Sequence, residues 1–263
     1  MRRIPLTVVL GALAVAAAGC GPVAAANTSN PPPAVTALPP VTTQTVPPTT
    51  VGPTTTDGPT TPSTTTSSTT TTTTTLPPVF EFNIEPVTRD VVWASWREEC
   101  PLDFRELSLL TLTYWNFDGM VARGQLAINS AVATEVVAAF AGLFEIGFPI
   151  ETIQLVDDYG GDDKAAMRAN VTSGFNCRFV DGTDRWSNHA FGLAVDINPL
   201  INPWAREGNV LPAEGEPYTN REPALPGMIN LGDEPITIFE ELGWTWGGVW
   251  QSADYMHFSR PGN

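Results

Sequence analysis

Basic residues are scarce in this chain of 263 residues. It contains 13 Lys and Arg against 28 Asp and Glu, which gives a formal net charge of -15. A protein that grips nucleic acid by neutralising phosphates needs a basic surface, so this balance excludes that class of function. We therefore expect no nucleic-acid partner.

Charged and aromatic residues are almost absent from the N-terminal part of the chain. Asp57 is the only charged residue between Arg3 and Glu81, and no aromatic residue precedes Phe80. A segment of this composition cannot bury enough apolar surface to form a packed core. The folded domain is therefore expected at residues 80–263, which hold all eight Trp residues.

The N-terminal hydrophobic run, LTVVLGALAVAAA, is too short to span a bilayer comfortably. Two arginines precede it, as in a secretory signal peptide, here residues 1–19. Cys20 follows small residues directly and resembles the lipobox cysteine of bacterial lipoproteins, although Ala17 stands where Leu is more usual. Either Cys20 is lipidated or the segment is an ordinary signal peptide, and both interpretations predict export.

Residues 20–79 contain the predicted anchor cysteine and then a stretch rich in Pro, Thr and Ser, with an unbroken Thr run at 69–75. This composition favours extended, solvated conformations. We predict a disordered linker that holds the domain away from a membrane, which the protein contacts only through its lipid anchor. The expected location is that of an exported bacterial lipoprotein, at the outer face of the cell membrane or in the cell wall.

Residues 80–263 contain the hydrophobic patterns of both helices and strands. Apolar residues at helical spacing predict a core helix at about 128–143 and a short helix at about 235–242. Strands are predicted at about 120–128, 148–156, 194–197 and 255–258. Few strands, separate helices and long loops indicate an α+β domain with a small, mostly antiparallel sheet.

Cysteine is also rare, with three residues in the chain. If Cys20 is used for the anchor, Cys100 and Cys177 remain as an even pair in an exported protein. A disulfide between them is the first expectation, and two buried thiols are the alternative.

The chain has only two histidines, and each lies in a motif with an aspartate. His189 in SNHAFGLAVD precedes Asp196 by seven residues, and His257 in DYMHF follows Asp254 by three. On an unbroken strand, an odd separation would place His189 and Asp196 on opposite faces, but Gly192 permits a bend that lets them converge. A three-residue separation on a turn places Asp254 and His257 on the same side.

Two His and one Asp provide three ligands, the usual number for a catalytic zinc that keeps one position open for water. The predicted cofactor is one Zn²⁺ ion bound by His189, Asp196 and His257. No CxxC pair or third His completes a closed structural set. Asp254 is then not needed as a ligand and can act as a general base on the zinc-bound water. For either histidine alone, a buried hydrogen-bonding role is the alternative.

Together with GWTWGGVW, these motifs resemble the M15 family of zinc peptidases, the D-alanyl-D-alanine carboxypeptidase and L-alanyl-D-glutamate endopeptidase group. The resemblance extends upstream through NVTSGFNCR and covers most of residues 95–260. It implies a small antiparallel sheet flanked by helices. It also implies zinc ligation by His189, Asp196 and His257 and a catalytic base at Asp254, where some relatives have the longer Glu.

The same resemblance assigns two further roles. Arg178 matches the arginine that this family places by the substrate carbonyl, and Ser187 matches the serine that opens the SxHxxGxAxD motif near the substrate. A salt bridge for Arg178 and a turn hydroxyl for Ser187 are the alternatives.

The implied activity is zinc-dependent hydrolysis of amide bonds in peptidoglycan stem peptides. A non-catalytic, zinc-containing wall-binding module is the second hypothesis, and the presence of Asp254 and Arg178 favours the enzyme. Whether the cut falls between terminal D-Ala residues or within the stem stays open.

Two other clusters each have two interpretations. The acidic stretch DDYGGDD at 157–163 invites a calcium site, but it lacks the EF-hand spacing, so we expect a solvated loop. Trp244, Trp246 and Trp250 either stack on sugars or pack in the core around the metal site.

Overall fold

A computed structural model describes residues 77–260 of the chain. The predicted signal peptide at 1–19, the lipidation site Cys20 and nearly all of the predicted linker at 20–79 lie outside these residues and stay predictions. Among the helices of the described part, none is long and apolar enough to cross a membrane.

The described residues form short helices and strands. The α-helices are α1 (Ala133–Glu145), α2 (Asp163–Arg168) and α3 (Glu234–Glu241). The strands are β1 (Phe82–Pro86), β2 (Leu107–Trp115), β3 (Val121–Asn129), β4 (Thr152–Ile153), β5 (Val171–Thr172), β6 (Ala194–Asp196), β7 (Trp204–Arg206), β8 (Asn209–Leu211), β9 (Thr245–Trp246), β10 (Ala253–Asp254) and β11 (His257–Ser259). Short 3-10 turns lie at Phe104–Glu106, Ser130–Val132, Val156–Tyr159, Asn188–Phe191, Ala213–Thr219 and Gly247–Val249.

Three antiparallel three-stranded sheets and one parallel pair account for the strand pairing within residues 77–260. The sheet orders are β1-β2-β3, β10-β7-β8 and β6-β11-β9, and the parallel pair is β4-β5. The expected α+β class with mostly antiparallel pairing is confirmed. The expected single sheet is instead divided into three, and every strand after β3 has only two or three residues.

A hydrophobic core joins α1 to two of the sheets. Val136, Phe140 and Leu143 of α1 are almost fully buried in it. The strands that later form the site contribute Val195 and Phe258, both fully buried. Burying a side chain of this size stabilises a fold by roughly 1.5–3 kcal/mol, so this core fixes the position of β6 and β11.

The core helix begins five residues later than its sequence pattern predicts. The start expected near residue 128 is wrong, because Ile128 pairs with Ser108 and continues β3. Asn129 ends the strand, and its side chain accepts a hydrogen bond from Ala131 N, which caps the turn that leads into α1. Sheet pairing over nine residues of β2 thus overrides the local helical spacing.

Two predicted strands differ in extent from the structure. The strand expected at 148–156 is reduced to Thr152–Ile153, and Val156 begins a 3-10 turn. The strand expected at 255–258 begins only at His257, because Tyr255 and Met256 form the turn after β10. The two long strands β1 and β2 have no counterpart among the predicted elements.

The acidic stretch is only in part the solvated loop that its composition predicts, because Asp158 and Asp162 are exposed but Asp157 is buried. The Asp157 carboxylate is buried and accepts hydrogen bonds from Ala94 N at 2.7 Å, Ser95 N at 3.0 Å and Ser95 Oγ at 2.6 Å. Asp162 caps the N-terminus of α2 by accepting from Ala165 N. These carboxylates hold backbone segments together, which explains their density here.

The predicted disulfide between Cys100 and Cys177 is present, with the two Cα atoms 5.8 Å apart. Further contacts reinforce the bond. Cys177 N donates to Ser95 O at 3.0 Å, and Arg97 Nη1 donates to Cys177 O at 2.7 Å. The disulfide therefore ties the segment at 95–100 to the segment around Cys177, which lies ten residues before the histidine motif.

Replacing both cysteines, Cys100→Ser with Cys177→Ser, should lower the free energy of unfolding by about 2–4 kcal/mol, because the unfolded chain loses the constraint of a 77-residue loop. Denaturant unfolding of the two proteins under non-reducing conditions measures the difference. Two free thiols detected by labelling of the denatured, unreduced wild type would contradict the bond itself.

Candidate metal centre

The antiparallel pairing of β6 with β11 places two of the predicted ligands opposite each other. His257 is the cross-strand partner of Asp196, and Phe258 is the partner of Val195. Because side chains alternate along a strand, Val195 and Phe258 point to the core and the Asp196–His257 pair points to the other face. Both members of the outward pair are nevertheless buried, at 5% and 7% exposure.

His189 reaches the same point from the 3-10 turn at Asn188–Phe191. Ser187 begins this turn, and its Oγ accepts a hydrogen bond from His189 N at 3.3 Å. Gly192 ends it with φ 62°, and a Cβ there would lie 2.6 Å from Asn129 N. Only glycine fits both the backbone angle and the space, so the predicted bend between His189 and Asp196 is confirmed.

The three predicted ligand side chains lie within hydrogen-bonding distance of one another. His189 Nε2 lies 3.1 Å from Asp196 Oδ2, and His257 Nδ1 lies 3.0 Å from Asp196 Oδ1. The two imidazole nitrogens are 3.2 Å apart. No fourth His, Cys, Asp or Glu joins this group within residues 77–260.

This arrangement fits a zinc ion. Around a tetrahedral zinc with bonds of about 2.0–2.1 Å, ligand atoms lie about 3.3 Å apart, close to the separations observed here. His189 Nδ1 lies 2.6 Å from Gly174 O, to which it donates, so Nε2 is the ring nitrogen that faces the Asp196 carboxylate. In the neutral imidazole this Nε2 carries the lone pair that binds a metal, and a backbone carbonyl behind the ring is a usual partner of a metal-binding histidine.

Electrostatics agree with a cation site. Burial by itself would raise the pKa of Asp196, but the contacts with His189 and His257 lower it far below its usual range. Burial would likewise lower the pKa of His189, but the charge of Asp196 together with the hydrogen bonds to Asp196 and the Gly174 carbonyl raises it overall. The carboxylate is therefore kept anionic inside the protein, which is the form that binds a metal.

Asp254 lies at the end of β10, beside this group. Its Oδ1 atom is buried and has no hydrogen-bond partner in the described part of the chain. Burial, supported by the charge of Asp196, raises the pKa of Asp254 to about 7, against the opposing effects of His257 and Arg178. Gly247 makes this position possible, because a Cβ there would lie 3.0 Å from Asp254 Cβ. A carboxyl that titrates near neutral pH is suited to act as a base.

Arg178 is the partly buried cation of the site. Its Nε lies 2.9 Å from Asp163 Oδ2, within salt-bridge distance, although the N–H is not directed at this oxygen. Burial would lower the pKa of Arg178, but the carboxylates of Asp163, Asp196 and Asp254 together raise it. The guanidinium therefore stays charged among three acids.

The three tryptophans of the GWTWGGVW motif differ in their burial. Trp244 and Trp246 are buried at 1% and 2% exposure, which confirms the core alternative for these two. Trp250 is 45% exposed, and its ring centroid lies 5.3 Å from that of His257. Trp204, which sequence reasoning missed, is partly exposed and is the cross-strand partner of Asp254.

Sequence reasoning also missed Asp163 and Gly174 as parts of the site. Asp163 contacts Arg178, and Gly174 supplies the carbonyl that orients His189. Gly174 contributes through its backbone, which no residue type reveals. Asp163 is one of four aspartates in the acidic stretch at 157–163, and it lies 15 residues before Arg178, so the sequence does not single it out.

Comparison with known proteins identifies the family of this region. Residues 181–260 match the M15 peptidase family model that is described as D-alanyl-D-alanine carboxypeptidase. No curated protein and no solved structure matches the chain. The matched range contains His189, Asp196, Asp254 and His257, whereas Arg178 precedes it. The resemblance to M15 peptidases is therefore confirmed over residues 181–260.

His257→Ala should reduce the zinc content of the purified protein by about tenfold or more, because the buried site loses one of its three protein ligands. Elemental analysis of the protein after incubation with zinc measures this. Ser259→Ala, two residues along the same strand, is the matched control and should keep the wild-type content. Unchanged zinc in the His257 variant would contradict the ligand assignment.

Proposed function

We propose that the domain at residues 80–263 is a zinc-dependent peptidase that hydrolyses amide bonds in peptidoglycan stem peptides. The observation that carries this proposal is a buried cluster of three candidate ligand side chains beside the carboxyl group of Asp254, whose Oδ1 has no hydrogen-bond partner within residues 77–260. The family assignment of residues 181–260 supports a peptidase. The ligand distances support the metal dependence.

His189, Asp196 and His257 would hold one Zn²⁺ ion. When bound, zinc lowers the pKa of a coordinated water from 15.7 to about 7 and polarises a carbonyl oxygen. Contacts within the chain position these three side chains. The β6-β11 register holds Asp196 against His257, and the Gly174 carbonyl holds the ring of His189.

Asp254 would move the proton. Its buried Oδ1 has no competing donor within residues 77–260, so it can accept the proton of the attacking water. As the carbon–nitrogen bond of the amide breaks, Asp254 would deliver the same proton to the leaving nitrogen. One carboxyl thus serves as base and then as acid, which requires that its proton affinity lie near the working pH.

Arg178 would act on the other side of the reacting bond. A fixed guanidinium close to the metal ligands can offset the negative charge that develops on the carbonyl oxygen. A comparable donor is worth roughly 3 kcal/mol of transition-state stabilisation. The Ser187 hydroxyl accepts from His189 N, which gives it a turn-capping role and leaves its hydroxyl hydrogen for the proposed substrate contact.

The proposed location follows from the N-terminal motif and from the disulfide. Disulfides persist in oxidising compartments, so the bond between Cys100 and Cys177 supports export. Lipidation of Cys20 would anchor the protein at the outer face of a bacterial cell membrane, with peptidoglycan as its partner.

Asp254→Asn should retain zinc and lose activity by about 100-fold or more, because an amide cannot carry the proton. Mass spectrometry of defined muropeptides measures cleavage near pH 7, and elemental analysis of the same samples measures zinc. The exposed Asp118→Asn is the control with the same chemical change and should keep both.

The paired measurement separates the competing explanations. Loss of zinc together with activity would show that Asp254 is a ligand, and a wild-type rate in the zinc-loaded variant would contradict the mechanism. If the wild type cleaves no stem peptide, the wall-binding module becomes the better hypothesis. The products formed by the wild type also show whether the cut lies at the terminal D-Ala or within the stem.

A further inference from the structure

The salt bridge between Arg178 and Asp163 connects the candidate site to a helix outside the matched family region. Within residues 77–260, Asp163 is the one carboxylate that lies within salt-bridge distance of Arg178. Both side chains are largely enclosed, with 27% and 24% of their surface exposed. Partial enclosure makes such a pair stronger and more rigid than a pair on the open surface.

Asp163 is itself held in place. It is the first residue of α2, directly after the helix cap at Asp162. Its Oδ1 accepts a hydrogen bond from Asn176 Nδ2 at 3.0 Å, while Oδ2 contacts Arg178. Asn176 N in turn donates to His189 O at 3.1 Å. The Asp163 carboxylate thus attaches α2 to the segment that carries Arg178, and the backbone of Asn176 attaches that segment to the turn that carries His189.

The disulfide also fixes the segment that carries Arg178. Cys177 lies between Asn176 and Arg178 and is bonded to Cys100. The backbone around Arg178 is therefore held by a covalent bond, and its guanidinium is held by Asp163. This leaves the orientation of the side chain, more than that of the backbone, dependent on Asp163.

Without Asp163, other charges would attract the guanidinium. Asp196 and Asp254 both act electrostatically on Arg178, although neither lies within salt-bridge distance of it. A guanidinium that moved to Asp254 would neutralise the proposed base, and one that moved to Asp196 would compete with the metal. Asp163 lies closer to the guanidinium than Asp196 and Asp254 do, so its attraction outweighs theirs.

We propose that Asp163 is a positioning residue, which holds the Arg178 guanidinium beside the metal centre and apart from Asp254 so that its terminal N–H groups stay available for the substrate carbonyl. This role rests on the proposed function of the site. The proposed effect of Asp163 on the reaction passes through Arg178, and within residues 77–260 Asp163 has no hydrogen bond or salt bridge to His189, Asp196 or His257.

The kinetic test is a double-mutant cycle on the full chain. Asp163→Asn should lower kcat at least about tenfold, a fraction of the 10²–10³ loss expected when a transition-state donor is removed, with unchanged zinc content. In the Arg178→Ala background the same substitution should cause no further loss, since the group that it positions is absent. An equal loss in both backgrounds would overturn the positioning role.

Asp162→Asn is the matched control. It makes the same chemical change at the adjacent residue, and Asn is as good a helix cap as Asp. Asp162 has no contact with Arg178, so kcat should stay at the wild-type value. A loss equal to that of Asp163→Asn would show that the start of α2 matters for folding alone, which would also overturn the proposal.

A second measurement does not depend on catalysis. In a proton–nitrogen spectrum of the full chain labelled at arginine, the Nε–H signal of Arg178 is assigned through its disappearance in Arg178→Lys. Asp163→Asn should shift this signal, because the carboxylate charge 2.9 Å from Nε is lost, whereas Asp162→Asn should leave it in place. An unmoved signal in the Asp163 variant would overturn the positioning role. Failure of the wild type to cleave any stem peptide would overturn the proposed function alone.

Discussion

The antiparallel pairing of β6 with β11 is the constraint on which the candidate site depends. Because the two strands pair in register, one cross-strand pair, Val195 with Phe258, belongs to the core, and the next, Asp196 with His257, belongs to the site. Slippage by a single residue would exchange the two faces and bury the ligands in the core. The energy that holds the register is therefore the burial of Val195 and Phe258 beside α1.

Around this pair the site is completed by segments that carry little regular structure. The turn with His189 is held at its start by Ser187 and at its end by Gly192, whose close approach to Asn129 attaches it to the end of β3. The segment at 174–178 follows a path fixed by backbone hydrogen bonds and by the disulfide. Irregular segments can place side chains accurately when each is attached at several points, and here each one is.

Charge also organises the centre. Asp163, Asp196 and Asp254 surround one guanidinium and two imidazoles in a chain whose net charge is -15. Each carboxylate has a different environment: Asp196 faces both histidines, Asp163 faces Arg178, and Asp254 Oδ1 has no partner within residues 77–260. These environments lower the pKa of Asp196 and raise that of Asp254. Two carboxyl groups with separated proton affinities can divide ligand and base between them.

The sequence by itself determined the local chemistry of this protein. The scarcity of histidine and the two His–Asp motifs were enough to select the three candidate ligands, because their number and type match a catalytic zinc site. Gly192 was enough to predict that His189 approaches Asp196, because a bend at glycine is a local property. The even cysteine pair predicted the disulfide, and the family resemblance followed from the same motifs. Export and lipidation of Cys20 were predicted in the same way and stay predictions.

Only the tertiary structure decided the features that arise between distant segments. The start of α1 depends on the pairing of Ile128 with Ser108, and this pairing overrides a helical pattern that is locally sound. Asp157 depends on partners 62 and 63 residues away, and Asp163 depends on a partner 15 residues away. Gly174 orients His189 through its backbone carbonyl. Contacts of this kind have no sequence signal, because they depend on which surfaces meet when the core forms.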